Sequence, residues 1–166
     1  MRIKNKITLT FLFILLILSN ACEQNTTNQL ESSRIAYDVN VHEKQFGDYI
    51  IHINALTTDQ LPAGVARAYN ISRSKNRAML NVSIRKKHAE EEIPVTAIVK
   101  VIAKNLISQQ NNVEMREIKE PDSVAIYYIG ELLVSNEEII TFKLDIMPEG
   151  TSKPFLLSYS QQFFTK

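Results

Sequence analysis

Apolar side chains recur at every second position along much of this chain, and this period of two is the feature that most constrains its fold. Residues 77–86 (RAMLNVSIRK) and 138–147 (EIITFKLDIM) each place an apolar side chain at alternate positions. Successive side chains of a β-strand point to opposite faces, so the pattern predicts strands with one buried face. The period therefore predicts a fold built from β-sheets.

Seven segments have strand character, and Pro, Gly, Asn or Asp occurs in most of the turns between them. They span residues 46–56, 77–86, 94–104, 113–119, 123–133, 138–147 and 154–164. Between the first two, Leu61 and Val65 recur at helical spacing, which predicts a short helix capped by Asp59. The predicted fold class is mainly all-β: an antiparallel immunoglobulin-like β-sandwich of about seven strands with one short helix between the first and second strands. An open barrel is the alternative.

The first 21 residues have the pattern of a secretory signal peptide. Three basic residues precede the apolar run Ile7–Leu18, which has twelve residues. A transmembrane helix needs about 20 apolar residues, so cleavage is favoured over retention. We therefore predict an exported protein with a signal peptide at residues 1–21.

Cys22, the one cysteine of the chain, directly follows the small residue Ala21, and the small residue Ser19 lies three positions before it. The segment SNAC resembles the lipobox of bacterial lipoproteins, although Ser19 stands where leucine is usual. The alternative is ordinary cleavage, which leaves an exposed free thiol in an oxidising compartment. We predict lipid attachment at Cys22 and hence a membrane anchor, and Glu23 resembles the signal for sorting to the outer membrane. The predicted location is the periplasm, on the outer membrane.

Residues 22–45 are rich in Asn, Gln, Ser and Thr at their start and are predicted to be a largely disordered polar tether. Residues 46–166 are predicted to form a single β-sandwich domain. Without the signal, 16 basic residues remain against 18 acidic ones, a charge of about −2 at pH 7. This balance predicts no general attraction to nucleic acid.

No motif for catalysis, metal binding or a cofactor can be recognised, so none is predicted. A scattered catalytic group remains the alternative, and His52, Tyr127 and Asp145 are its first candidates. The charged run RKKHAEEE is interpreted as a hairpin with a turn at His88 and Ala89 that sets Arg85 opposite Glu92.

The most suggestive surface is the segment RAYNISRSKNR, in which no acidic residue interrupts the basic ones. Guanidinium and ammonium groups in such a loop suit a carboxylate or phosphate on an envelope protein, an anionic glycan or a lipid headgroup. The alternative is a polar connection with no partner. The candidate contact residues are Arg67, Tyr69, Arg73, Lys75, Asn76 and Arg77.

Several blocks of the chain together resemble the bacterial domain-of-unknown-function family 4426. These blocks are FGDYIIHINAL, AGVARAYNISRSKNRAMLNVSI, IYYIGEL, and FKLDIMPEG followed by QQFF. They run in order from Phe46 to Phe164. The resemblance implies a small exported β-rich protein, and it brings no activity, substrate or catalytic residue with it.

Three functions are compatible with these observations. The first is a non-enzymatic accessory or binding module of the cell envelope, a lipoprotein or a periplasmic protein, that contacts its partner through Arg67–Arg77. The second is a periplasmic carrier of a small apolar ligand, which predicts a void between the sheets. The third is an envelope enzyme without recognisable motifs.

Overall fold

The computed structural model describes residues 42–121 and 124–166. The predicted signal peptide, the predicted lipid site Cys22 and the predicted tether up to residue 41 lie outside the described residues. Within the described part, no helix is both long enough and apolar enough to cross a membrane.

Ten strands and two short helices make up the described part of the chain. The strands are β1 (Glu43–Phe46), β2 (Tyr49–Thr57), β3 (Arg77–His88), β4 (Glu91–Pro94), β5 (Ala97–Asn105), β6 (Gln110–Val113), β7 (Met115–Lys119), β8 (Ile126–Leu133), β9 (Glu138–Pro148) and β10 (Phe155–Phe163). A 3-10 turn (Thr58–Gln60) and the helix α1 (Ala63–Ala68) lie between β2 and β3.

The strands form two antiparallel sheets. The six-stranded sheet has the order β1-β2-β3-β8-β7, with β4 paired to β3, and the four-stranded sheet has the order β10-β9-β5-β6. The runs β2-β3-β8-β7 and β10-β9-β5-β6 match the A-B-E-D and G-F-C-C′ orders of immunoglobulin sandwiches. The predicted antiparallel sandwich with its short helix is confirmed, with ten strands in place of about seven.

Three short strands account for the difference in number. β1 begins at Glu43, within the segment assigned to the tether, and pairs with β2 through Glu43 and His52. β4 is the second strand of the charged hairpin. It ends at Pro94, which the sequence pattern assigns to the start of the next strand. The predicted strand 113–119 is divided between β6 and β7, which belong to different sheets.

The chain crosses from one sheet to the other at Glu114, next to Gly130 on β8. A Cβ atom at Gly130 would lie 2.5 Å from the Met115 sulfur and 2.5 Å from Val113 Cγ1. Glycine therefore fits here without displacing its neighbours, because side chains of the crossing chain fill the space that a Cβ atom would need.

The core fills the space between the sheets. Ile51, Leu80 and Ile84 of one sheet and Phe142 and Ile146 of the other have no exposed surface, and they belong to one continuous cluster. Burial of each such side chain contributes about 1.5–3 kcal/mol. A carrier of a small apolar ligand would need a void between the sheets, and side chains of this cluster occupy that space.

The charged hairpin forms with a different register from the predicted one. His88 pairs with Glu91 and Lys87 with Glu92, so the turn lies at residues 89 and 90. Ala89 has φ 55°, as a tight hairpin turn of the favoured hand requires. Arg85 Nε still lies 3.4 Å from Glu92 Oε2, across the diagonal of the ladder.

Helix α1 also differs in detail from its prediction. Pro62 is its N-cap and Asp59 lies in the preceding 3-10 turn, so the predicted Asp59 cap is wrong. Ala66 is the buried residue of the helix, whereas Val65 is 39% exposed. The helix has only six residues, fewer than two turns, so one side chain suffices to pack it on the sheet. The small side chain of Ala66 fills that position.

Candidate functional site

The predicted contact residues extend from the last turn of α1, which contains Arg67, to the first residue of β3, Arg77. We call residues 67–77 the basic connection. It lies on the outer face of the six-stranded sheet, where Ile71 is buried together with Ala66, Met79 and Ile129. This small second cluster is separate from the main core. It holds the helix and the basic connection against the sheet.

Thr58 anchors the middle of the basic connection. Its side chain is fully buried, and its hydroxyl donates to the Ser72 carbonyl at 2.8 Å. The same oxygen accepts a hydrogen bond from the Ser74 amide at 2.9 Å. One side chain therefore fixes the backbone of Ser72 and Ser74, in the irregular stretch between α1 and β3.

Asn70 ends α1 and turns the chain back to the sheet. Its φ of 53° is left-handed, a conformation that asparagine tolerates better than most residues. The Ile71 amide then bonds the Ala66 carbonyl at 2.8 Å, the long backward bond of a Schellman motif. This turn delivers Ile71 to its buried position.

Three of the six predicted contact residues are bonded within the domain. The Tyr69 hydroxyl donates to Glu120, and this bond, with burial as a smaller cause, raises the pKa of Tyr69. Arg73 Nη2 donates to the Asp59 carbonyl at 2.5 Å. Arg77 Nη1 lies 3.8 Å from a carboxylate oxygen on β8. These side chains therefore stabilise the basic connection and are less available to a partner.

The other three predicted residues, Arg67, Lys75 and Asn76, are exposed. Within residues 42–121 and 124–166, no hydrogen bond or ion pair involves their side chains. Backbone bonds hold Asn76 in place, since its carbonyl accepts from the Val134 amide at 3.0 Å. The connection thus presents two cations and an amide from a fixed backbone.

Sequence reasoning missed a polar link between the sheets at Tyr128. Its buried hydroxyl accepts from the Ala97 amide of the other sheet at 2.6 Å and donates to Glu117 Oε2 at 2.7 Å. Burial, and then the bond to Glu117, raise the pKa of Tyr128. The bond from Tyr128 is the largest cause that lowers the pKa of Glu117. No motif marks these residues, because their partners are distant in sequence.

The structure does not bring together the three residues suggested for a scattered catalytic group. His52 lies on the outer face of the six-stranded sheet, 3.6 Å from Glu43. Asp145 alternates with the buried Leu144 and Ile146 of the four-stranded sheet, so it faces the opposite side of the sandwich. A catalytic group made of His52, Tyr127 and Asp145 is therefore excluded.

Two open depressions lie on the surface of the described part of the chain. One of about 420 Å³ is lined by His42, His52, Asn54, Asn81 and Ser83, among others. Another of about 410 Å³ opens beside Asn105, Gln109 and Glu138. Among the described residues, no group of three or more His, Cys, Asp or Glu side chains is placed to hold a metal ion.

Solved structures similar to this chain include the following two. A DUF4426 family protein from Pseudomonas aeruginosa PAO1 has a TM-score of 0.62 and 28% identity, and the match covers 74% of this chain and 93% of that one. A copper-bound variant of FetP from uropathogenic Escherichia coli strain F11 has a TM-score of 0.51 and 12% identity, covering 73% of this chain and 93% of that one. The second likeness concerns the fold alone. No curated protein matches the sequence.

The family model named DUF4426, a domain of unknown function, matches residues 43–166. This range confirms the resemblance seen in the sequence blocks and extends it to include β1. The chain therefore belongs to the DUF4426 family.

Proposed function

We propose that this protein is a non-enzymatic binding module of the bacterial cell envelope, held at a membrane by lipid on Cys22. Its contact surface is the basic connection, and its partner carries carboxylate or phosphate groups. The observation that carries the proposal is a pair of exposed cations on ordered backbone: Arg67 in the last turn of α1, and Lys75 next to Ser74, whose amide Thr58 holds in place.

A fixed backbone matters for binding because it lowers the entropy lost when a partner is held. Ordering a flexible, rotamer-rich side chain costs about 0.5–1.5 kcal/mol, and a mobile loop adds to that cost. Here the Thr58 bonds and the buried Ile71 already order the loop. Charge complementarity then sets the specificity of the contact and the rate of association.

The contact surface is tested by placing a photo-crosslinking amino acid at Ala68, an exposed position next to Arg67. We expect an adduct of discrete mass in cells of the native host. The adduct should disappear when the cations are reversed in Arg67→Glu/Lys75→Glu. The matched control carries the crosslinker at the exposed residue Ser152, in the β9–β10 turn at the other end of the sandwich.

Two outcomes would reject this contact surface. The first is an adduct at Ala68 no more abundant than the adduct at Ser152. The second is an adduct that survives charge reversal. Either result would leave the basic connection as a polar surface segment without a partner.

The anchor is tested separately by the intact mass of the protein recovered from host membranes. We expect the chain from Cys22 plus a diacylglyceryl group and an acyl chain. Cys22→Ser should lose both this mass and the membrane association. The bare mass of the chain from Cys22 would instead indicate a soluble periplasmic protein with a free thiol.

A further inference from the structure

The outer face of the four-stranded sheet combines exposed aliphatic side chains with lysines. β5 presents Ile98, Lys100, Ile102 and Lys104 outward, because Ala97, Val99, Val101 and Ala103 alternate with them and belong to or pack on the core. The register places Lys143 of β9 beside Ile102 and Leu156 of β10 beside Asp145. We call this surface the lysine face, and it consists of Ile98, Lys100, Ile102, Lys104, Lys143 and Leu156.

The aliphatic residues of the lysine face are exposed to solvent. Ile98 is 64% exposed, Leu156 58% and Ile102 38%. The outer face of the other sheet differs, because α1 and the basic connection pack on it. In the described part of the chain, the lysine face has no covering element.

Charge on the lysine face is opposite in sign to the net charge of the exported chain. Lys100, Lys104 and Lys143 stand against one acid, Asp145, which lies directly opposite Lys100. At its margin, Glu149 is bonded to Thr96. None of the three lysines forms an ion pair with a described residue. A second copy of the chain would bring like charges together, so charge disfavours self-association and favours an anionic partner.

Side-chain chemistry distinguishes a lipid surface from an acidic protein. Protein interfaces are enriched in aromatic residues and Arg, and their cores are depleted in Lys. The outward positions of this sheet include no aromatic residue and no Arg, and its cations are all Lys. Lysine can bury its aliphatic stem while its ammonium reaches lipid phosphates. An exposed sheet face also suits an extended surface better than a single small ligand.

We propose that the lysine face rests on an anionic lipid surface. The ammonium groups contact headgroup phosphates, and Ile98, Ile102 and Leu156 contact the boundary between headgroups and acyl chains. This contact requires no lipid on Cys22. It uses the side of the sandwich opposite to the basic connection, so it is independent of the partner contact proposed above.

The experiment measures sedimentation of the chain from residue 22, carrying Cys22→Ser, with lipid vesicles. We expect binding to vesicles that contain phosphatidylglycerol and little binding to pure phosphatidylcholine. Each lysine near such a surface contributes about fivefold in affinity, so Lys100→Gln/Lys143→Gln should bind about 25-fold more weakly. Ile98→Ser/Leu156→Ser should also weaken binding, although the charge is unchanged.

The matched control is Lys86→Gln/Lys87→Gln, which removes the same charge from the charged hairpin of the six-stranded sheet. We expect this variant to bind like the parent chain. The proposal is overturned if the parent chain does not bind phosphatidylglycerol vesicles, or if Lys100→Gln/Lys143→Gln binds as tightly as the parent. It is also overturned if only Arg67→Gln/Lys75→Gln abolishes binding, since the membrane contact would then belong to the basic connection.

Discussion

Replacing Thr58 by valine tests whether one buried hydroxyl holds the basic connection in place. Valine keeps the branched shape and removes only the oxygen that bonds Ser72 and Ser74. Because the side chain has no exposed surface, water cannot take the place of the hydroxyl at its own position. The Ser74 amide and the Ser72 carbonyl therefore lose their partner unless the connection moves.

The expected loss of stability follows from the two backbone groups that lose their hydrogen-bond partner. A buried donor or acceptor left without a partner costs about 1–3 kcal/mol. Ser74 is only partly buried, so some water reaches the freed amide and the cost should be about 2 kcal/mol. The midpoint of urea unfolding should fall while the slope stays unchanged, because the surface exposed on unfolding is the same.

Amide hydrogen exchange distinguishes loosening of the connection from a general loss of stability. We expect the Ser74 amide to exchange up to about 30-fold faster in Thr58→Val, since 1.4 kcal/mol corresponds to tenfold. The matched control is Thr57→Val, because Thr57 is also buried and its hydroxyl accepts only from the exposed side-chain amide of Gln60 at 2.8 Å. It should cost less than about 1 kcal/mol and leave Ser74 protected. Equal stability and equal Ser74 exchange in the two variants would refute the anchoring role of Thr58.

Three further predictions concern the link between the sheets and the crossing of the chain. Tyr128→Phe leaves the Ala97 amide without its acceptor, and we expect a loss of about 1–3 kcal/mol in urea unfolding; an unchanged midpoint would contradict this. Hydrogen bonding, chiefly from Tyr128, lowers the pKa of Glu117 below its ordinary 4.5, so its contribution is fully present above pH 4.5 and is lost as pH falls through the lowered value. Glu117→Gln should therefore lose part of the acid sensitivity seen in thermal unfolding curves. Gly130→Ala would overpack the crossing against Val113 and should cost about 1–3 kcal/mol by the same urea assay.

The sandwich was predictable because its long strands each bury one face. β3 and β9 carry an apolar side chain at alternate positions over much of their length, and the structure buries those side chains. A strand with one face in the core must keep this alternation whatever the rest of the fold, so the pattern is a reliable indication of such strands. The short strands were not predictable for the converse reason, since β1 and β4 carry no fully buried residue.

The crossing between sheets at Glu114 could not be predicted from the hydrophobic pattern, although the residues on either side of it are in contact with the core. Val113 and Met115 both contact the core, two residues apart, as they would in one uninterrupted strand. The period of two therefore continues through a change of sheet and conceals it. The one local indication is Gly130, and it lies on a different strand from the crossing.

The basic connection shows which part of a site a sequence can specify. The absence of acidic residues between Arg67 and Arg77 located the segment, and six residues were predicted as one contact surface. The structure divides them: Tyr69, Arg73 and Arg77 each contact a group elsewhere in the domain, whereas the side chains of Arg67 and Lys75 contact no partner among the described residues. Composition identifies a cation, but only the fold determines whether that cation already has a partner.

The two proposed contacts have a geometric consequence when they are taken together. The lysine face and the basic connection lie on the outer faces of different sheets, so a domain that rests on lipid through one presents the other away from the membrane. The segment from Cys22 to His42 can span at most about 70 Å, which allows a lipid-anchored chain to lie in this orientation. Loss of the lysine face should then reduce contact with the partner only by changing the domain's orientation. Crosslinking at Ala68 should therefore fall in Lys100→Gln/Lys143→Gln when the partner lies beyond the membrane surface, and should stay constant when the partner is soluble.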